Sequence, residues 1–357
     1  MKRNSNFELL RILSMFMIVV WHIIIHGNIL QSTTGVLNFI STIILYICIV
    51  HVNCFILITG YHLYNKKIKY KKVIMLILEV IFYNIFALFL LNIFNLDFKF
   101  SYSIFSFKTY WFLSNYLILY FMTPFINKLI SVLSKQDYVK LLVTLSIIFF
   151  IIPTITHGDF LINNGYNIEQ FIILYLLGVY IAKYDFNPFK KFNLKQQNTI
   201  YILLIVFIII FRLSFYFLIK HVDNLNMSLF MEFADYYLST CRNYSNMFVV
   251  VQSVLVLLLF KNFTFKCKYI NEISKTTLGI YLLHDNVIIR TNIYKILKVD
   301  PLISCNISTL LITFLFTSVL IFLTCSLIER IRQALFDDRK YYNYVIDKIV
   351  NFLDFSN

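Results

Sequence analysis

The sequence predicts an all-α fold: a polytopic integral membrane bundle of about ten transmembrane helices, with both termini cytoplasmic. Three observations predict it. Of 357 residues, 59% are hydrophobic, 18% aromatic and only 14% charged, which excludes a soluble globular domain and a disordered chain alike. Apolar segments of about 20 residues, the length a bilayer core demands, recur along the whole chain. Lys and Arg crowd alternate connections between those segments.

The apolar segments fall at 9–29, 38–63, 73–94, 109–130, 141–154, 168–182, 198–219, 246–260, 276–294 and 303–328. Lipid offers a backbone amide no partner, so each is predicted helical; a barrel would alternate apolar and polar residues, and these runs do not. With the N-terminus inside, most of the 32 Lys and Arg fall in 66–72, 128–140, 183–195, 261–275 and 330–348, on the cytoplasmic side. The outer connections hold Lys99, Lys108, Lys220, Arg242, Arg290, Lys295 and Lys298. The net charge of +14 is therefore topological, and no nucleic-acid partner is expected.

The first segment carries Glu8, Arg11, His22 and His26. Ionisable groups in hydrocarbon are costly and point to function by default; the alternative is interhelical glue. At about 100° per residue, Arg11 and His22 nearly eclipse, and Glu8 and His26 lie roughly 60° to the same side. Along the axis Arg11 and His22 are about 16 Å apart, one near the membrane surface and one deep inside. The segment lacks a small-residue cleavage site and is expected to remain as a span.

No linker, soluble domain or internal repeat interrupts residues 1–335, which are expected to form one membrane domain. In the tail, 336–357, Tyr341, Val345, Ile349 and Phe352 are spaced as the apolar face of an amphipathic helix. Such a helix lies on the inner leaflet or packs on the cytoplasmic loops. The outer loops 155–167 and 220–245 hold His157, Asp159, Asn163, Asn164, His221, Asp223, Glu232, Asp235 and Tyr244. That set suits an external sugar site or ordinary solvated loops. Cys48, Cys54, Cys241, Cys267, Cys305 and Cys325 have no metal-like spacing and read as small packing residues, so no metal is expected. Arg212 either lines a substrate path or snorkels outward.

After the second span comes Tyr64–Lys72, with Lys66, Lys67, Lys69, Lys71 and Lys72. The positive-inside excess explains lysines here, and so does a phosphate-binding cluster. Here the residues resemble a known family. Glu8-Leu-Leu-Arg11 with His22, Gly60-Tyr61 closing the second span, and Trp111-Phe-Leu-Ser114 with Tyr120 and Pro124 resemble motifs of the integral membrane acyltransferase-3 family. So do Leu278-Gly-Ile-Tyr-Leu-Leu-His284 and Glu329, and the polysaccharide and sugar O-acetyltransferase branch is the nearest in kind. Two departures stand out. The arginines that the family carries after the second span are lysines here, and Tyr116 stands where many members have Glu.

The resemblance implies transfer of an acyl group, most often acetyl, from cytoplasmic acetyl-CoA to a hydroxyl of an envelope polysaccharide or lipid-linked sugar, in a bacterial plasma membrane. His22, with Arg11 and Glu8, is the expected catalytic set. Arg11, Lys69, Lys71 and Lys72 are expected to hold the CoA phosphates. His26, Trp111, His284 and Glu329 are expected to contact substrate. Either Glu8 or Glu329 is expected to pair with Arg11, and His22 to act as general base or to carry the acyl group briefly. A transporter or flippase of a lipid-linked sugar would also bury charges, but such folds often show the repeats that this chain lacks.

Overall fold

The computed structural model describes residues 4–94, 110–156, 163–224, 237, 241–296 and 307–353, and every regular element among them is helical. In chain order these are α1 (Asn6–His26), α2 (Gly35–Cys48), α3 (His51–Leu63), α4 (Tyr70–Ile93), α5 (Trp111–Val132), α6 (Lys135–Ser146) and α7 (Ile168–Lys183). Then follow α8 (Leu194–Asn224), α9 (Met247–Lys261), α10 (Thr277–His284), α11 (Val287–Ile296), α12 (Ile307–Leu335) and α13 (Lys340–Leu353). Among the described residues, six stretches are long and apolar enough to cross a bilayer: Asn6–His26, Gly35–Leu63, Tyr70–Ile93, Lys135–Ile155, Leu194–His221 and Ile312–Leu335.

Two expected spans are each a pair of helices. The second is α2 and α3, which meet at Ile49 and Val50. The ninth is α10 and α11, broken at Asp285 and Asn286. The second break has a visible cause. Asn286 Oδ1 accepts the Ile288 N–H at 3.1 Å, capping α11, while its Nδ2 donates to Tyr110 Oη at 2.9 Å and Asn84 Oδ1 at 3.1 Å. Hydropathy sees an apolar run there and not the buried partners that make a new helix start affordable.

The prolines are absorbed locally. Pro124 within α5 denies the Tyr120 carbonyl its helical donor, and Thr123 Oγ1 donates to that oxygen instead, at 2.7 Å. Pro153 follows a π-helical turn, Ile147–Ile151, that widens the helix ahead of it. On α8, Ile202, Leu203, Val206, Phe207 and Ile210 are exposed, an apolar face fit for lipid. The tightest helix contact is α3 on α7. A Cβ on Gly60 would run into the Tyr175 carbonyl, and one on Gly178 into the Leu57 carbonyl.

The lysine-rich connections gather at one end of the bundle. There Asn6 Nδ2 donates to Phe260 O at 2.9 Å, Lys183 Nζ to Ile130 O at 2.9 Å, and Lys71 pairs with Asp347 of α13 at 2.8 Å. At the other end the Tyr244 N–H donates to Asn164 O at 3.1 Å and Asn115 Nδ2 to Tyr166 O at 2.8 Å. Helix α13 buries Ile346 and leaves Tyr341, Tyr344, Val345, Ile349 and Phe352 exposed.

Arg212 neither snorkels nor lines a described cavity. It is 1% exposed, donates to Gln252 Oε1 at 2.9 Å and Cys241 O at 2.7 Å, and stacks on Tyr46 with 4.5 Å to the ring centre. Nη1 and Nη2 are thus held inside the bundle, while Nε is buried without a hydrogen-bond partner among the described residues. Cys48, Cys54, Cys241 and Cys325 are buried thiols. His157, Asp159, Glu232, Asp235, Lys99, Lys108, Lys298 and Cys305 lie outside the described residues, as do the side chains of Asn163 and Asp223.

Candidate active site

Helix α1 supplies the first parts of the site. Arg11 and Glu8 are one turn apart on one face, and Arg11 Nη1 donates to Glu8 Oε1 and Oε2 at 2.9 and 3.1 Å. Pairing lowers the cost of burying both groups. Glu329, the other expected partner for Arg11, is engaged elsewhere. It accepts from Arg332 Nε and Nη2 at 2.8 and 2.9 Å, Tyr83 Oη at 2.6 Å and Gln333 Nε2 at 2.6 Å. Such a carboxylate is fully occupied and 1% exposed.

Deeper along α1, His22 meets the end of α10. His284 Nδ1 lies 2.5 Å from the Ile280 carbonyl oxygen, which only accepts, so that nitrogen carries the proton. In a neutral ring Nε2 is then the acceptor, and it lies 3.0 Å from His22 Nδ1. His22 Nδ1–H therefore donates to His284 Nε2, which leaves the His22 lone pair on Nε2; the tautomers follow from the partners. Asp285 Oδ1 is 3.6 Å from His22 Nδ1 and 2.9 Å from Arg290 Nη1. A carboxylate thus stands beside the ring on which positive charge would develop.

His22 opens on a cavity of about 460 Å³. Arg11, Trp21, His26, His51, Trp111, Tyr244 and Arg290 are among its walls. A second cavity, of about 540 Å³, lies toward the lysine-rich end and is walled in part by Lys72, Glu79, Lys275, Arg330, Arg332 and Asp337. The two share Leu76, Tyr116 and Leu278 as walls, so they adjoin. Both volumes suit a ligand of ordinary size. One compartment lies toward the lysine-rich end and mixes four cations, Lys72, Lys275, Arg330 and Arg332, with four carboxylates, Glu79, Glu329, Asp337 and Asp338; the other is aromatic and is walled by the imidazoles.

A family model described as an acyltransferase domain matches residues 4–330. The chain belongs to the acyltransferase-3 family. It is a multi-pass membrane acyltransferase. No curated protein and no solved structure matches it.

Within this acyltransferase, Arg11, His22, His26 and Trp111 wall one cavity, and Lys72 and Glu329 wall the other. His284 reaches the site through its bond to His22 and is not a wall of either cavity. The lysine cluster divides. Lys72 walls the charged cavity, Lys71 pairs with Asp347, and Lys69 is exposed, with its backbone N–H donating to Tyr120 Oη at 2.9 Å. Tyr116 stands at the junction of the cavities.

Sequence reasoning missed four groups: His51, Arg290 as partner of Asp285, and Lys275 and Arg330 as cations of the second cavity. His51 carried a readable signal, an ionisable residue inside an apolar run. The other three depend on which helices pack together. His22, His26 and Asp285 also bring ligand atoms within 4.8 Å of one another. A cation there would compete with Arg290 for Asp285, so the set fits a hydrogen-bonded relay better than a metal centre.

Proposed function

We propose that this acyltransferase moves an acetyl group from cytoplasmic acetyl-CoA to a hydroxyl of a cell-envelope polysaccharide or its lipid-linked precursor. The observation that carries this reading is His22, its lone pair left on Nε2, in the wall of a cavity that adjoins a charged one toward the lysine-rich end. We take the chain to cross the bacterial plasma membrane ten times with both termini inside, because the lysine-rich connections then obey the positive-inside rule. The exposed apolar face of α13 lies on the inner leaflet in that arrangement.

The donor enters from the charged cavity at the lysine-rich end. Lys72 holds its phosphates, joined by Lys275 and Arg330 as they exchange their contacts with Glu272 for them, and the thin pantetheine arm passes Leu76, Tyr116 and Leu278 to bring the thioester to His22. His22 Nε2 takes the proton of the acceptor hydroxyl as its oxygen attacks the thioester carbonyl carbon. The imidazolium keeps its Nδ1–H on His284 and is stabilised by Asp285. The tetrahedral intermediate then collapses: the C–S bond breaks, and the leaving sulfur takes the proton back from Nε2. An O-acetyl ester and free CoA result. Arg11, held by Glu8, lies along the donor path.

The test measures free thiol released from acetyl-CoA by membranes carrying wild type or His22→Ala at matched levels. The acceptor is de-O-acetylated envelope polysaccharide from the producing cells. Acceptor-dependent release is expected with wild type alone. Equal release by the variant would remove His22 from the chemistry, and no release by wild type would remove acetyl-CoA as donor.

A further inference from the structure

Arg290 is the cation that this mechanism leaves without a task. From Lys275 at the lysine-rich end, whose carbonyl accepts from Gln333 Nε2 at 3.1 Å, the chain runs through α10 to His284 beside His22 and on into α11. Arg290 lies on α11, which packs on α1, and is a wall of the His22 cavity. One carboxylate separates it from the base: Asp285 Oδ1 is 2.9 Å from Arg290 Nη1 and 3.6 Å from His22 Nδ1. Away from the lysine-rich end the same cavity is walled by His26 and Tyr166, both exposed, and by Trp111, whose ring centre is 4.5 Å from that of Tyr166.

The arrangement puts the cation in front and its counter-charge behind. Among the described residues Arg290 engages Nη1 alone, donated to Asp285; its side chain is 30% exposed and that of Asp285 only 4%. An entering ligand therefore meets the guanidinium and not the carboxylate. Arg11 repeats the pattern lower in the cavity, since Arg11 is a wall and its partner Glu8 is not. Asp285 is the one carboxylate among the described walls of this cavity, against four in the cavity toward the lysine-rich end. A low-dielectric cleft lined in this way favours negative charge. The planar fork of a guanidinium matches the paired oxygens of a carboxylate or a phosphate, and the aromatic rings of Trp111 and Tyr166 suit the apolar faces of a sugar. The donor's phosphates have cations of their own in the other cavity, so Arg290 is left for the acceptor.

We propose that the acceptor is an anionic glycan, with the carboxylate of a uronic acid or the phosphate of a glycosyl phosphate seated on the remaining N–H groups of Arg290. This rests on the acyltransferase reading above and names the class of acceptor for the same site. A hydrogen bond to a charged group favours the anionic acceptor over a neutral counterpart about tenfold to hundredfold. Donor binding, made in the other cavity, is spared.

The chain has 2 tryptophans, Trp21 and Trp111, and both wall this cavity, so tryptophan fluorescence reads occupancy without any chemistry. The experiment titrates the full-length protein in detergent with three tetrasaccharides. One alternates glucose and glucuronic acid, one is its carboxyl-reduced neutral counterpart, and one is a glucose tetrasaccharide ending in a 1-phosphate. Wild type is expected to bind a charged probe at least about tenfold more tightly than the neutral one. Tighter binding of the glucuronate probe assigns the site to a uronic acid, and tighter binding of the phosphate probe assigns it to a glycosyl phosphate. Arg290→Gln should bring charged and neutral probes within about twofold, and Arg290→Lys, which keeps the charge without the fork, should retain part of the preference. A residue that only held Asp285 in place would change binding of all three probes alike, so a preference retained in Arg290→Gln overturns the proposal. Equal affinity of wild type for charged and neutral probes, or no response to any of them, overturns it too, as does an Arg290→Gln effect confined to the acetyl-CoA KM. An Arg290-dependent preference without CoA release from acetyl-CoA by wild type would keep the anion site and remove the acetyl-CoA reading.

Discussion

Replacing His284 by leucine tests the tautomer argument most sharply. In the structure His22 Nδ1–H has His284 Nε2 as acceptor at 3.0 Å, and the next candidate, Asp285 Oδ1, is 3.6 Å away and already bound to Arg290. His284→Leu leaves the His22 donor unsatisfied in a buried site and releases the tautomer. One such loss is worth about 1–3 kcal/mol, which is a fall in kcat of about 5-fold to 150-fold. The lower end applies if Asp285 swings in to accept. His284 is not a wall of either cavity, so KM for both substrates should stay within about twofold. His284→Gln should recover most of the rate, because its amide can donate to Ile280 O and accept from His22 at once. The assay is CoA release at saturating donor and acceptor in membranes with matched protein level. Full kcat in His284→Leu would refute the relay; a raised acceptor KM with unchanged kcat would make His284 a substrate contact instead.

Three further predictions follow from other parts of the molecule. Lys72→Ala should raise the acetyl-CoA KM about threefold to tenfold, whereas Lys71→Ala should leave it unchanged, because Lys71 is spent on Asp347. Gly178→Ala forces α7 off α3 and should cost about 1–3 kcal/mol, read as a lowered unfolding temperature in detergent at unchanged composition. Asp185, in the connection after α7, is held below the usual carboxylate range by its hydrogen bond to Lys261, with Lys190 nearby. Its contribution is therefore present above the ordinary aspartate pKa and lost as pH falls through the depressed value. The carboxylate is largely exposed, so screening keeps the effect below about 1 kcal/mol. Asp185→Asn should flatten the acid limb of thermal stability by that small amount; a steeper limb would contradict the sign.

The helical bundle was legible because lipid leaves so few options for an apolar chain, and because helical periodicity alone sets Glu8, Arg11, His22 and His26 on one face. The pairing of Arg11 with Glu8 was likewise within reach, since residues three apart on a helix must meet. The helix breaks were harder. Asp285 and Asn286 were visible as polar residues in an apolar run, but the break depends on Tyr110 and Asn84 from two other helices. The sequence left either Glu8 or Glu329 as the partner of Arg11. The actual partners of Glu329 include Arg332 and Gln333, on its own helix at three- and four-residue spacing, so local geometry outweighed the long-range alternative. The division of labour among Lys69, Lys71 and Lys72 could not be read from a cluster, because it is decided by where Asp347 on α13 lands.

In the proposed mechanism His22 Nε2 is the base of an O-acetyl transfer. Proton NMR of the envelope polysaccharide tests it most directly, in strains lacking the gene, complemented with wild type, and complemented with His22→Ala at matched membrane level. The O-acetyl signal should be absent from the first, restored in the second and absent from the third. An O-acetyl signal fully restored by His22→Ala would contradict the account.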